Sequence, residues 1–456
     1  MARGGKKLDL TQGGIGRTIV LFCLPIYASQ LLQTLYNSVD SIVVGQFVGT
    51  NELAAISTCA NVSNLIVGFF LGLGTGATVV VGRHFGAREY DRLRVAMQTT
   101  VLFSVALGLV VTVLCIVFSP QILGLLACPD EVYDAALLYL RFYLAGILFI
   151  SLYNVLSSIM RAVGDSDGPF WFLAVSSFTN VGLDFLFVAG LGFGIAGAGL
   201  ATVLSQALSV ALCFHRLMRM DERWRLTLKG ARIEGGVLKE IVGLGVPAGV
   251  QSAVISFSNI FVQRYVNGFS AAAISGIGAG QRIDQLVTAA PNAIGLGITS
   301  FIAQNTGAGE YGRARSGAQL AMVFGLFIAA VFSVPIYLFA PQFMAIFSSD
   351  SAVIEVGVEF IRFIMPFWEI LGGYNMVVSG VLRGYGYSTS VMVFNLLGIV
   401  AVRQVFLAIG LSLSHTLTII YACYPLGWLV GTIPMAVLYF TRVRKRDGVD
   451  APFMEG

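Results

Sequence analysis

The chain reads as an all-α polytopic membrane protein of twelve transmembrane helices. They form two six-helix lobes, parallel internal repeats related by a pseudo-two-fold axis along the membrane normal. Three observations predict this. Hydrophobic residues make up 56% of the 456 positions and charged residues only 11%, where soluble domains carry about a quarter charged residues. Basic residues cluster in alternate loops. The two halves repeat one another in sequence.

A bilayer core takes about 20 mostly apolar residues per helical span. Such runs recur at 17–44, 52–82, 93–118, 133–159, 169–190, 195–216, 238–263, 271–302, 314–340, 354–381, 387–410 and 416–441. The first carries Pro25, a kink site, and the second is rich in glycine. The opening "MARGGKKLDLTQGGIGR" is polar and basic, and no small-residue cleavage site follows it, so it reads as a loop rather than a signal peptide. The cysteines at 23, 59, 115, 128, 213 and 423 form no CxxC and lie mostly in apolar runs. They read as packing residues.

Alternate loops set the orientation. With the N-terminus inside, the inner segments hold Arg3, Lys6, Lys7 and Arg17, then Arg83, Arg88, Arg92 and Arg94, then Arg161. The central loop holds Arg216, Arg219, Arg223, Arg225, Lys229, Arg232 and Lys239, and later inner segments hold Arg313, Arg315, Arg383, Arg442, Arg444, Lys445 and Arg446. The outer segments hold Arg264. Both termini are therefore expected on the cytoplasmic side. The net charge of +4 is this inner-face bias and calls for no nucleic-acid partner.

"GAREYDRLR" at 86–94 matches "GAGEYGRAR" at 307–315, "FSPQ" at 118–121 matches "FAPQ" at 339–342, and "YLRFY" at 139–143 matches "FIRFI" at 360–364. All share an offset of 221, as do the two "YN" pairs at 153–154 and 374–375. Charged and aromatic residues match in register, which low complexity does not produce. Six spans per half return the second half to the same membrane face, so the repeats are parallel. The expected layout is an N-terminal segment 1–16, a first lobe 17–216, a cytoplasmic linker 217–237 read as a simple hydrophilic connector, a second lobe 238–441 and a tail 442–456.

Ionisable residues inside spans mark function by default. Asp40 stands late in span 1 with no basic residue within ten positions. Asn180 and Asp184 lie four apart on span 5, hence on one helical face. Counting about 1.5 Å per residue brings Asp40, Tyr139, Arg141, Asn180, Asp184 and Thr202 to a similar depth, in the outer half of the first lobe. Oxygen ligands of this kind suit a hard monovalent cation, so Na⁺ could sit at Asp40, Asn180, Asp184 and Thr202. The two carboxyls could equally carry protons, since burial and a second nearby charge favour the protonated acid. A third reading pairs Arg141 with Asp40 or Asp184 as a lock or as a competitor for the cation. The second lobe is no copy: Val262 falls opposite Asp40, and where Asn395 matches Asn180, Ile399 replaces Asp184. Its own polar set is Arg282 and Asp284 on span 8, Arg362 and Glu369 seven apart on one face of span 10, and Arg403 on span 11. For these, structural pairing and cargo contact both stand, Glu369 being the strongest contact for cationic cargo.

Other chemistries lack their residues. "GFGIAG" at 192–197 satisfies GxGxxG but sits at a turn between spans, with no strand before it. No GxxxxGK[ST] or HExxH occurs, which argues against ATP-driven pumping and against a metal-dependent intramembrane hydrolase, so the chain is not read as an enzyme.

Several stretches together resemble the multidrug and toxic compound extrusion (MATE) family, in its DinF-like branch, within the wider group of multidrug, lipid and polysaccharide flippases. They are "LPIYASQLLQTLYNSVDSIVVGQFVGTNELAAIS" (24–57), "GTGATVVVGRHFGA" (74–87), "NVLSSIMRAVGD" (154–165), "FTNVGLDFLFVAGLGFGIAGAGLAT" (178–202) and "SGVLRGYG" (379–386). The resemblance implies a V-shaped secondary antiporter of the inner membrane of a prokaryote. It would expel amphipathic, often cationic compounds against H⁺ or Na⁺ by alternating access, with no cofactor beyond the coupling ion, as a monomer in contact with membrane lipid. It also implies a first-lobe cation site at Asp40, Asn180, Asp184 and Thr202 with Tyr139 nearby. Glu369 falls where the NorM-like branch carries a span-10 acid, whereas span 7 offers only Glu240, at its cytoplasmic end. The alternatives are a flippase for a lipid or lipid-linked saccharide and an exporter of another small metabolite. A flippase calls for a strongly basic cleft, which the few intramembrane arginines do not supply.

Overall fold

In hydrocarbon every backbone N–H and C=O must find its partner within the chain, which leaves helices as the spanning element for this sequence. A computed structural model describes residues 8–47, 50–125, 130–227 and 229–445, without the side chains at 37, 38, 40–45, 50–61, 125, 130 and 131. Among the described residues every regular element is helical. The order is α1 (Ile15–Phe47), α2 (Thr50–Gly86), α3 (Tyr90–Val117), α4 (Ser119–Leu125), α5 (Asp130–Ala162), α6 (Asp167–Asp184), α7 (Gly194–Met218), α8 (Gly235–Val266), α9 (Ala271–Gly307), α10 (Tyr311–Leu338), α11 (Ala340–Ala345), α12 (Ser351–Ile364), α13 (Phe367–Gly384), α14 (Ser388–Asn395), α15 (Arg403–Leu413) and α16 (Leu417–Leu438). Among the described residues, eleven stretches are long and apolar enough to cross a membrane unbroken. The exception is the expected span at 354–381, where α12 and α13 share the crossing. Pro366 has no N–H to continue the ladder, and Met365 before it is extended, at φ −96° and ψ 148°. That break corrects one expectation: Arg362 and Glu369 lie on different helices and share no face.

The chain forms two compact units, Met1–Asp9 with Ala28–Gly249 and Leu10–Tyr27 with Val250–Gly456. Two of the three changes of unit fall inside a helix, in α1 and α8, each just after an internal proline, Pro25 and Pro247. The first unit has a core of Leu93, Met97, Leu156, Ile159, Met160 and Trp224, and another around Phe70, Leu140, Leu144 and Ile147. In the second, Phe360, Ile361, Met344, Val287 and Tyr421 pack together. Its N-terminal stretch is tied down by Arg313, which donates to the carbonyls of Gln12 and Gly13 at 2.7 Å each. Cys23, Cys115, Cys213 and Cys423 are free thiols; the side chains of Cys59 and Cys128 lie outside the described residues.

The repeat extends to backbone detail. α2 ends with Glu89 N–H on the His84 carbonyl and Arg88 N–H on Phe85; α9 ends with Glu310 on Asn305 and Gly309 on Thr306. This closure needs a left-handed residue, supplied by Arg88 (φ 59°) in one half and Gly309 (φ 76°) in the other. A side chain there is strained by about 1 kcal/mol or more. Arg88→Gly is therefore expected to raise the thermal unfolding midpoint in detergent, a gain of about 0.5–1 kcal/mol. An unchanged or lower midpoint refutes it. α6 and α14 also continue alike, each into a π-helical segment, Phe185–Gly190 and Leu396–Val402.

The linker is more than a connector. Trp224 is 4% exposed and packs edge-on to Phe85 at 5.4 Å. Arg94 donates to the Arg223 carbonyl (2.7 Å), Gln98 to the Thr227 carbonyl (2.7 Å), and the Glu234 N–H to Thr99 Oγ1 (3.1 Å). The apolar Trp and the polar residues of α3 thus seat the linker on the first unit.

Candidate functional site

In the first unit α6 packs against α7, laced by small hydroxyl residues. Ser176 Oγ donates to the Ser205 carbonyl (2.7 Å), Ser205 Oγ to the Thr202 carbonyl (2.9 Å) and Thr202 Oγ1 to the Ala198 carbonyl (3.1 Å). This close seam seats the polar residues one helical turn further along α6. Asn180 and Asp184 are both 0% exposed and Thr202 5%. With its amide turned to satisfy both ends, Asn180 donates to Asp184 Oδ2 at 2.9 Å and accepts from the Thr202 N–H at 3.3 Å. One amide thus ties together three of the predicted residues. The contact that Asn180 makes to this buried carboxyl is a neutral amide donating to an acid. The helix passes into its π-helical segment directly after Asp184, and such bulges recur at functional sites.

Tyr139 lies on α5, 5% exposed, its ring centroid 6.0 Å from that of Tyr143, in the core with Phe70, Leu140 and Ile195. Arg141 is an exposed residue whose Nε donates to Ser119 Oγ at 3.3 Å. It forms no ion pair with Asp184, so that version of the lock is absent. Asp40 is on α1, but its side chain lies outside the described residues.

The second unit answers Asn180 with an uncharged network. Asn375 Nδ2 donates to Asn395 Oδ1 (3.1 Å) and Thr432 Oγ1 (2.9 Å), and Asn395 Nδ2 donates to Ser379 Oγ (3.2 Å). Sequence reasoning aligned Asn395 but missed Asn375, Ser379 and Thr432. The repeated "YN" pair was the available signal, since its second member is Asn375.

A second acidic centre lies between α9 and α13. Glu369 is 0% exposed, and its carboxyl is within hydrogen-bonding reach of Asp284. Neither Glu369 oxygen meets another donor among the described residues. Two carboxylates cannot bond each other; the contact becomes a hydrogen bond only when one carries a proton. Arg282 and Arg362, predicted alongside, are exposed and make no ion pair with it. Trp428 stands close to the same helix, 3.1 Å from where a side chain on Gly372 would begin.

Comparison with known proteins places these features in a family. The MatE family model matches residues 25–186 and 247–409. The chain is 28% identical over 404 residues to the probable multidrug resistance protein YpnP of Bacillus subtilis, covering 89% of this chain and 90% of that one. It is 25% identical to an FAD transporter of Shewanella oneidensis, over 88% and 89% of the two chains. It is 22% identical to the multidrug export protein MepA of Staphylococcus aureus, over 86% of each. In fold it is similar to an outward-facing multidrug resistance MATE transporter, with a TM-score of 0.85, 23% identity, and coverage of 96% of this chain and 100% of the other.

Proposed function

The chain belongs to the MatE family and is a membrane transporter, not an enzyme, and from that premise we propose that it exports amphipathic, often cationic compounds in exchange for H⁺ or Na⁺. Coupling is assigned to Asp40 and Asp184 in the first lobe, with Asn180, Thr202 and Tyr139 around them. The observation that carries this reading is the amide of Asn180 joining the buried Asp184 to α7. An ion arriving at Asp184 replaces the dipole of Asn180 as its partner, so occupancy alters how α6 and α7 are tied together. A ligand shifts a conformational equilibrium only through such a difference between states. Glu369 with Asp284 is assigned to cationic cargo, as a buried acidic face. The protein is placed in the prokaryotic inner membrane with both termini cytoplasmic, as the loop charges imply.

The test is efflux from proteoliposomes of an amphipathic cationic dye under a pH gradient and a Na⁺ gradient imposed separately. Wild-type protein is expected to respond to one of them, and folded Asp40→Asn to neither. Full gradient-driven efflux by Asp40→Asn overturns the site, and efflux indifferent to both gradients overturns the coupling.

A further inference from the structure

We propose that Arg403 is an anion-recognition residue that takes the carboxylate or phosphate group of an exported compound; this rests on the reading of the chain as an exporter. Arg403 opens α15 directly after the π-helical segment, mid-way along the Ser388–Leu413 stretch, and is 3% exposed. A guanidinium taken out of water is costly unless an opposite charge meets it. Among the described residues Arg403 has no ion pair. Its Nη2 donates to two neutral acceptors on α8, Ser258 Oγ and Asn259 Oδ1, both at 2.8 Å. Its Nε is buried with no acceptor. The group is oriented nonetheless: its carbon lies 5.8 Å from the centroid of the Tyr424 ring, and Gln404 donates to the same Ser258 from the neighbouring position (2.9 Å).

A buried charge that is carefully held but not neutralised is the arrangement expected of a binding group awaiting its counter-ion. A purely structural arginine would be better served by an acid. The buried Glu369 and half-buried Asp284 of the same unit do not fill that role. Asp284 and Glu369 face each other, and neither forms an ion pair with Arg403 among the described residues; Tyr424, beside Arg403, accepts at its hydroxyl from Gln281 at 2.7 Å. The pi-face of Tyr424 and the remaining amide hydrogens of Asn259 add a flat platform and further donors. Asn259 is itself exposed, so one edge of the site opens beyond the packed interior. Planar, forked donors of this kind match the two oxygens of a carboxylate or phosphate.

The experiment compares binding of two xanthene dyes to purified protein in neutral detergent, one with a free carboxylate and the other its methyl ester. Arg403→Gln is expected to weaken the acid roughly 10- to 100-fold, the range of a charge-assisted hydrogen bond, and the ester by less than about twofold. Arg403→Lys should recover part of the loss. If Arg403→Gln does not fold, Asn259→Ala removes one tether of the guanidinium at an exposed position and should give a smaller loss, again confined to the acid. Equal losses for acid and ester, or none, overturn the proposal. Titration with chloride and with phosphatidylglycerol separates the sources: if either displaces the acid dye at wild-type Arg403 and not in the variant, the site belongs to a halide or a lipid headgroup, and the solute assignment is overturned. No gradient enters this assay, so failure of ion coupling leaves its result independent.

Discussion

Asp184→Asn is expected to abolish gradient-driven efflux while leaving the protein folded. The variant keeps the shape of the side chain and a hydrogen bond to Asn180, which can present its amide either way round. What it loses is the charge and the proton. Asp184 is 0% exposed, and exchanging a buried acid for an isosteric neutral group removes the cost of holding a charge out of water while keeping its shape. The thermal midpoint should therefore hold or rise. Efflux under either gradient should fall to the rate seen with no gradient, whereas Asp184→Glu should retain part of it. Asn180→Ala tests the tie separately. It leaves the acid in place but removes its 2.9 Å donor and the link to Thr202, so a partial loss of efflux is expected, together with a lower midpoint. Wild-type rates in a folded Asp184→Asn protein would sink the coupling assignment. A fall in the midpoint of several degrees in Asp184→Asn would instead mark the residue as structural.

Much of this was legible in the chain. Hydropathy placed the helices because lipid demands long apolar helical runs, and the repeat announced the paired architecture because charged and aromatic positions recur at a fixed offset. Asn180 and Asp184 could be put on one face because a helix brings positions four apart together. What was not legible depends on contacts between distant segments. Asp284 and Glu369 stand on different helices, and nothing in either local pattern says that they meet. Pro366 looked like one more residue of an apolar run, yet it divides a span, and with it the face that Arg362 and Glu369 were expected to share. The linker looked like a plain connector because its residues are polar; Trp224 was the residue that signalled docking. The changes of unit inside α1 and α8 follow from packing along whole helices, which hydropathy does not report.

Gly380→Leu is expected to prevent recovery of folded protein, and Gly380→Ala to cost several kcal/mol, above the ~1–3 kcal/mol typical of overpacking, because the obstacle is backbone. α13 crosses α9 at Gly295 and Gly380. A Cβ on Gly380 would fall on the carbonyl of Gly295, and one on Gly295 would come within 2.8 Å of the Met376 carbonyl oxygen. No rotamer can relieve either contact. The approach is sealed by Thr299, whose Oγ1 bonds the carbonyl of its own turn at Gly295 (2.8 Å) and that of Gly380 across the crossing (2.9 Å). The first unit builds the same joint from Thr78, which bonds Gly74 (2.9 Å) and, across to α5, Ser158 (3.3 Å). Small residues at such crossings replace the hydrophobic drive that lipid removes, by letting backbones approach closely enough to pack and bond. Gly278 lies on the same helix α9, but a Cβ there meets nothing within 4 Å. Gly278→Ala should thus be neutral, or stabilise by up to about 1 kcal/mol through helix propensity. Membrane yield and thermal unfolding of the three variants separate the cases. If Gly380→Ala and Gly278→Ala behave alike, the close crossing of α9 and α13 is not what holds the second unit together.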